Sequence, residues 1–293
     1  MAHKNTYVLE RLLEQLDYEN NDIYIHVDYK CTDFDWTKYK KIVSKSQLFE
    51  IKKRIDVSWG SYSQIEAEME LLTESYFNRN YRYYHLMSGQ DLALKPQREI
   101  HNFFEANDGS IYLNMVEVSE ANRVDWNFSN TVYGRVSVKR IFLDRASLSS
   151  NIGRKILGLV DRFYAYIQAK FLMRDLVRSK NICLGYGSNW FSLPENAVKC
   201  VLDNRHKIEY YFKDSRCADE LFIQSILKEN KLTVVNDNLR MIDWKRGDNA
   251  HPYVWHKEDL TQLSKTEKLF ARKFDENIDK EIINKISDMV LRK

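Results

Sequence analysis

With 293 residues, 44% of them apolar and 30% charged, the chain can bury a full core as one large domain or two small ones. A formal net charge of +3 is too small for a surface that tracks nucleic-acid phosphates, so nucleic acid is set aside as a partner. Cys31, Cys183, Cys200 and Cys217 show no CxxC spacing, and there is no leader-like segment or run of about 20 apolar residues. Four reduced thiols in a cytoplasmic protein are expected. Only 9 Gly and 3 Pro are present and no linker-like stretch breaks the chain, which suits a single domain over residues 1–293. An aromatic share of 13% fits carbohydrate stacking, although large cores use the same residues.

Residues 6–16 place Val8, Leu9, Leu12, Leu13 and Leu16 at helical spacing, and residues 22–28 follow as a strand with polar ends. Asp33-Phe34-Asp35 has the spacing of an acidic metal motif but reads as a turn into a helix. With no HxH or HExxH arrangement either, no metal site is expected. Residues 48–57 are extended candidates, and Ser61-Tyr62-Ser63-Gln64 opens a helix as a capping box. That helix runs on through Ile65, Met69, Leu72 and Tyr76. A short apolar run at 83–87, a turn at 88–91, a helix at 97–104 and a strand at 111–118 follow. This alternation predicts an α/β fold with helices on both faces of a mixed central sheet and ligands beyond the carboxyl ends of its strands. A first half, to about residue 115, holds strand ends where a nucleotide could be met, and a second runs from about 116 to 293.

Between 154 and 178, Arg154, Lys155, Arg162, Lys170, Arg174 and Arg178 interleave with apolar residues at a helix-like period. The ordinary expectation is a helix packed on the core with its cations in water; the alternative is contact with a membrane surface. Residues 187–193 read as a polar turn entering a strand, and 194–204 as a helix. At Asp219-Glu220, Asp219 is a plausible N-cap and Glu220 falls in the first turn, where the helix dipole favours an anion such as a general base. Complementing the dipole is a sufficient structural role for it.

Three positions sit where a ligand would be met at strand ends: Asp28, Trp59 before Gly60, and Asp91. Each also suits a turn, a cap or a core aromatic. In Leu269-Phe270-Ala271-Arg272-Lys273-Phe274-Asp275, two cations lie between two phenylalanines, so they belong to an anchored segment and can neutralise a diphosphate without a metal.

The order and spacing of several motifs add a resemblance over nearly the whole chain. They are Ile25-His26-Val27-Asp28, Val57-Ser58-Trp59-Gly60-Ser61-Tyr62-Ser63, His85-Leu86-Met87-Ser88-Gly89-Gln90-Asp91-Leu92 and Gly187-Ser188-Asn189-Trp190-Phe191. Asp219-Glu220, Asn238-Leu239-Arg240 with Asp243-Trp244, and residues 269–275 complete the set. The set resembles the core-2/I-branching enzymes and peptide O-xylosyltransferases, glycosyltransferase family 14. The resemblance implies a GT-A fold and inverting transfer of a sugar from a UDP donor to a hydroxyl, with no cofactor and no bound metal. It implies that Asp28 meets the uracil, Trp59 lines the nucleotide pocket, Asp91 holds the donor sugar, and Arg272 with Lys273 clamps the diphosphate. Glu220 falls on the catalytic carboxylate, with Asn189, Trp190 and Trp244 on the acceptor side.

The sequence also departs from its relatives. The strand that they carry before Ala2-His3 is missing, so a truncated first strand and a mobile terminus are expected. Ala93 stands where many relatives have proline, Asn189 replaces the acidic residue of the xylosyltransferases, and the animal members' membrane anchor is absent. The expected partners are a UDP-sugar and a glycan or surface-polysaccharide acceptor. A lipid-linked acceptor would bring peripheral membrane contact. A carbohydrate- or nucleotide-binding module without turnover is the alternative.

Overall fold

The computed structural model describes residues 1–119, 125, 127–142, 151–248 and 251–292. Its first elements are α1 (Tyr7–Leu16), β1 (Asp22–Ile25), α2 (Trp36–Ile42), β2 (Gln47–Glu50), α3 (Ser63–Asn78), β3 (Tyr83–His85), β4 (Asp91–Ala93), α4 (Gln97–Ala106), β5 (Ile111–Leu113) and β6 (Val116–Glu117). Then come α5 (Gly134–Ser137), α6 (Asn151–Lys170), α7 (Leu176–Ser179), β7 (Gly185–Tyr186), β8 (Phe191–Pro194), α8 (Glu195–Asp203), α9 (Arg205–Phe212) and α10 (Phe222–Glu229). β9 (Val234–Asn236), β10 (Arg240–Ile242), α11 (Leu260–Lys265), β11 (Phe270–Arg272) and α12 (Lys280–Leu291) complete the order. The α/β class expected from the sequence is observed, but its strands form several small sheets among the described residues instead of one central sheet. The residues gather into two compact units, each assembled from separate stretches of chain.

One unit comprises Met1–Arg54, His85–Ser110 and Asp237–Lys293. In it β1 pairs in parallel with β2, while β11 lies between β10, parallel to it, and β4, antiparallel. α1 folds as its apolar period predicts and buries Val8 and Leu12 with Leu92, Trp255, Phe274 and Ile283. Thr6 caps it, accepting the Leu9 N–H at 3.0 Å, and Asp35 caps α2 by accepting the Lys38 N–H at 2.9 Å, as the turn reading of Asp33-Phe34-Asp35 requires. Buried Gln15 accepts from the Ala93 N–H at 2.9 Å and donates to the Ala93 carbonyl at 3.3 Å. A proline at 93 would lack the donor for the first of these bonds.

Residues 1 and 2 correct the expectation of a mobile terminus. Ala2 is buried and bridges Val27 in parallel, its N–H donating to the His26 carbonyl and its carbonyl accepting from the Asp28 N–H, both at 2.9 Å. The Met1 nitrogen donates to the Met87 carbonyl at 2.7 Å, and the Met1 carbonyl accepts from Gly89 at 3.1 Å. Two residues therefore do the work of a short strand, because backbone groups on both sides supply partners.

The other unit comprises Ile55–Tyr84 and Ile111–Asn236. Its four-stranded sheet has the order β3-β8-β5-β9, with β5 antiparallel to β8 and parallel to β9, and β6 pairs separately with β7. The strand expected at 111–118 is thus split around Asn114 and Met115, where the Met115 N–H turns to the Asn236 side chain at 2.8 Å. The capping box at 61–64 also differs. Tyr62, not Ser61, precedes α3, and Gln64 reaches back to the Gly60 N–H while donating to Asp219 at 3.1 Å.

The largest correction concerns α6. Asp161, Ala165, Gln168 and Ala169 form its buried face, and Ile156, Leu159, Val160 and Phe163, expected to pack inward, are exposed, with Leu157 and Ile167 half-buried. Two polar anchors hold the helix down. Asp161, with no exposure, accepts two bonds from Arg140 Nε at 3.1 and 3.3 Å and one from the Ile141 N–H at 2.8 Å, and Gln168 exchanges bonds with the Lys139 backbone at 2.8 and 3.1 Å. No helix among the described residues is long and apolar enough to cross a membrane, and all four cysteines are free thiols.

A buried guanidinium stripped of its carboxylate is costly, so Asp161→Ala, which leaves Arg140 unanswered, is expected to lower stability by about 3–5 kcal/mol in denaturant titration. Replacing both partners by apolar residues, Arg140→Met with Asp161→Leu, should recover most of that loss. Equal midpoints for Asp161→Ala and the unsubstituted chain would show that the pair does not hold α6.

Candidate active site

In the first unit the run 270–274 is fixed from both ends. Phe270 and Phe274 are buried, the Trp255 indole donates to the Arg272 carbonyl at 2.8 Å, and the Phe274 N–H donates to the Gln90 carbonyl at 2.9 Å. Arg272 stands opposite Asp91 in the β11–β4 register, and its guanidinium meets the Asp91 carboxylate at 2.8 Å. Ser88 completes the cradle, donating to Asp91 from its N–H at 2.8 Å and from its hydroxyl at 3.0 Å, while Arg272 also contacts that hydroxyl. Asp91 and Arg272, which the sequence assigns separately to sugar and diphosphate, are thus bound to each other. Buried Arg240 adds positive charge near Asp91; burial lowers its pKa to about 9, with Asp91 and Asp237 opposing.

Lys273 differs from Arg272. Among the described residues its ammonium has no salt-bridge partner, and burial first, then Arg272, push its pKa below the usual lysine value, with Asp275 and Asp248 opposing. His3 belongs to the same field. Loss of hydration lowers its pKa, Lys4, Lys273 and Arg272 act in the same direction, and Asp28 opposes them. An ammonium drawn partly out of water, with no salt-bridge partner among the described residues, is a natural seat for an anion. Asp28 closes the loop after β1 as a turn residue, accepting from the Lys30 N–H at 2.9 Å and its ammonium at 3.1 Å. Arg54 pins this loop from below, donating to the carbonyls of Val27 at 3.2 Å and Asp28 at 2.6 Å. Trp244, half-exposed, sits at a turn made by Asp243, which accepts from the N–H groups of Lys245 and Arg246 at 2.9 and 3.0 Å.

In the second unit Glu220 ends a 3-10 turn, Ala218–Glu220, and α10 begins only at Phe222. Asp219 therefore does not cap α10 as expected, and the opposite charge near Glu220 comes from a side chain: Arg135 donates to it at 2.8 Å. Tyr186 shares this corner; burial and then Glu220 raise its phenol pKa, and Arg135 opposes. Two glycines allow the close approach. A Cβ at Gly134 would lie 1.9 Å from the Phe128 carbonyl, and one at Gly187 would lie 1.9 Å from the Asn114 carbonyl. The Gly187 N–H in turn donates to the Glu220 carbonyl at 3.0 Å. Asn189, two residues on, is partly exposed, whereas Trp190 is buried and presents no open stacking face. Trp59 is 59% exposed, with the Arg216 guanidinium 5.8 Å from its ring centre.

Asp219, beside Glu220, and Glu68, which feels the charge of Asp219, have no salt-bridge partner among the described residues. Burial and then repulsion from Glu220 lift Asp219 from 3.8 to about 7. Burial followed by Asp219 raises Glu68 well above the carboxylate range, with Asn189 opposing, and neither Glu68 oxygen completes a hydrogen bond among the described residues. Glu68 was legible as an acid on the Ile65, Met69 and Leu72 stripe of α3. Arg135 and Arg54 carried no periodic signal. For metal ligands, His256, Glu258 and Asp279 bring donor atoms within 4.8 Å of one another, but Asp279 already caps α12, accepting from Ile282 at 3.0 Å, and holds the Lys257 N–H at 2.8 Å.

These raised values fix the sign of a pH effect. The fold keeps a proton on Asp219 that the unfolded chain releases above 3.8, so its contribution to stability falls as pH rises from there to about 7 and is flat beyond. Asp219→Asn is expected to remove this part of the slope in denaturant titrations across that window. A stability difference between variant and unsubstituted chain that does not change with pH would contradict the assignment.

No curated protein matches the chain. The sequence does match the family described as Core-2/I-Branching enzyme over residues 1–267, a span that takes in Asp28, Trp59, Asp91 and Glu220 and ends before Arg272 and Lys273. A match over so much of the chain places it plainly: the protein belongs to the Core-2/I-branching family of glycosyltransferases.

Proposed function

We propose that the chain is a metal-independent inverting glycosyltransferase with a single GT-A type domain. It moves a sugar of N-acetylglucosamine or xylose type from a UDP-sugar to a hydroxyl of a glycan or surface-polysaccharide acceptor, including one carried on lipid. The observation that carries this reading is Lys273: a desolvated ammonium beside Arg272, fixed between two buried phenylalanines and lacking a salt-bridge partner among the described residues. Such a pair stabilises the oxyanion of departing UDP, the charge that must be met when the bond from the anomeric carbon to the diphosphate breaks. The Asp91 bridge sets the direction of the Arg272 fork. Asp28 serves the uracil, Trp59 the nucleotide and Asp91 the donor sugar, with Asn189, Trp190 and Trp244 on the acceptor side and Trp190 acting through packing.

Glu220 takes the proton of the incoming hydroxyl as its oxygen attacks the anomeric carbon, and Arg135 orients that carboxylate. Glu220→Gln is expected to bind UDP as before and lose sugar transfer by about a hundredfold to ten-thousandfold. Near-normal turnover would remove Glu220 as the base. In the unsubstituted protein, UDP binding with no turnover on any UDP-sugar and acceptor tested would mark a binding module instead.

Lys273→Ala should weaken UDP far more than uridine in calorimetry, because only UDP carries the diphosphate. Arg272→Ala has a second effect, since it leaves the buried Asp91 without its ion-pair partner; a stability loss on the order of 3 kcal/mol is expected. An equal loss of UDP and uridine binding in Lys273→Ala would exclude the ammonium as a diphosphate ligand.

A further inference from the structure

α6 reverses the usual arrangement of an amphipathic helix. Its inner face is polar or small, and its outer face carries Ile152, Ile156, Leu159, Val160 and Phe163, between 43% and 73% exposed. At helical spacing these five residues form one stripe about 16 Å long. The turn that follows adds Phe171, Leu172 and Met173, all exposed above 60%. Lys155 and Lys170 are exposed as well, and Arg162 and Arg174 are partly exposed. The helix's only acid, Asp161, is buried against Arg140. The outward face of the helix is therefore apolar and flanked by cations, with no carboxylate on it among the described residues.

We propose that this face docks on an anionic lipid surface, with α6 lying in the interface plane and its apolar stripe at the acyl boundary. An apolar surface of this size is costly in water, and lysines at its margin meet lipid phosphates while their stems follow the apolar residues down. Charge decides between the two natural occupants. A second copy of this chain, packed by the same face, would bring only further cations and no carboxylate to answer them, whereas an anionic leaflet supplies the missing charge. The inference is independent of which donor or acceptor the enzyme uses. It concerns where the enzyme works.

The test is flotation of the full chain with phosphatidylcholine vesicles, with and without about one-third phosphatidylglycerol. The expected result is flotation with the anionic vesicles, reversal at high salt, and at least a roughly tenfold drop in binding for Leu159→Ser with Phe163→Ser. These side chains lie on the outer face, so the unfolding midpoint should be unchanged. If that variant does not fold, Lys155→Glu with Lys170→Glu is expected to give the same loss through charge. Three outcomes would overturn the proposal: no flotation, flotation undiminished in the variants, or a vesicle-free dimer that Leu159→Ser with Phe163→Ser dissociates.

Discussion

A carboxylate taken out of water keeps its charge only beside a cation; otherwise it keeps its proton. Much of this molecule is arranged around that constraint. Asp91 is answered by Arg272, Asp161 by Arg140 and Glu220 by Arg135. Among the described residues Asp219 and Glu68 have no such partner, and both are pushed toward the neutral form. Lys273 is the converse case, a cation drawn out of water with no carboxylate bonded to it among the described residues. The three pairs fix a strand, a helix and a candidate base.

The Arg140–Asp161 pair also explains how α6 can turn its apolar residues outward. A helix held by hydrophobic burial must place its large side chains inside. Here a bidentate ion pair and a glutamine bonded to backbone do the anchoring, and alanines between them let the helix sit close. The outer face is then available for another surface. The same economy appears at residues 1 and 2, where bonds to the Val27 region and to residues 87 and 89 hold a segment too short to fold by propensity.

Helices were legible wherever apolar residues recur at the helical period against a neighbour in the core: α1, α4 and α8 match their expected spans closely. Strands were less so, because β5 and β6 lie in one apolar-rich stretch interrupted by Asn114 and Glu117, and the approach of Gly187 and Asn236 shows where it breaks. The period of α6 was read correctly, but its orientation was not, since a period does not say which face meets the body. Glu68 was visible as an acid in an apolar stripe. Arg135, in a four-residue helix with no period to place it, was not.

By itself the sequence determined the α/β class, the period of α1, the turn into α2, the anchoring phenylalanines around Arg272 and Lys273, and an ordered motif series matching one glycosyltransferase family. These depend on residues near one another in the chain, or on their order along it. Only the tertiary structure decided which charges meet. Asp91 and Arg272 are 181 positions apart and Arg135 and Glu220 are 85 apart, and no local period links such pairs. Their meeting depends on strand register and on glycines that let backbones approach, and it separates Arg272, answered within the fold, from Lys273, which has no salt-bridge partner among the described residues.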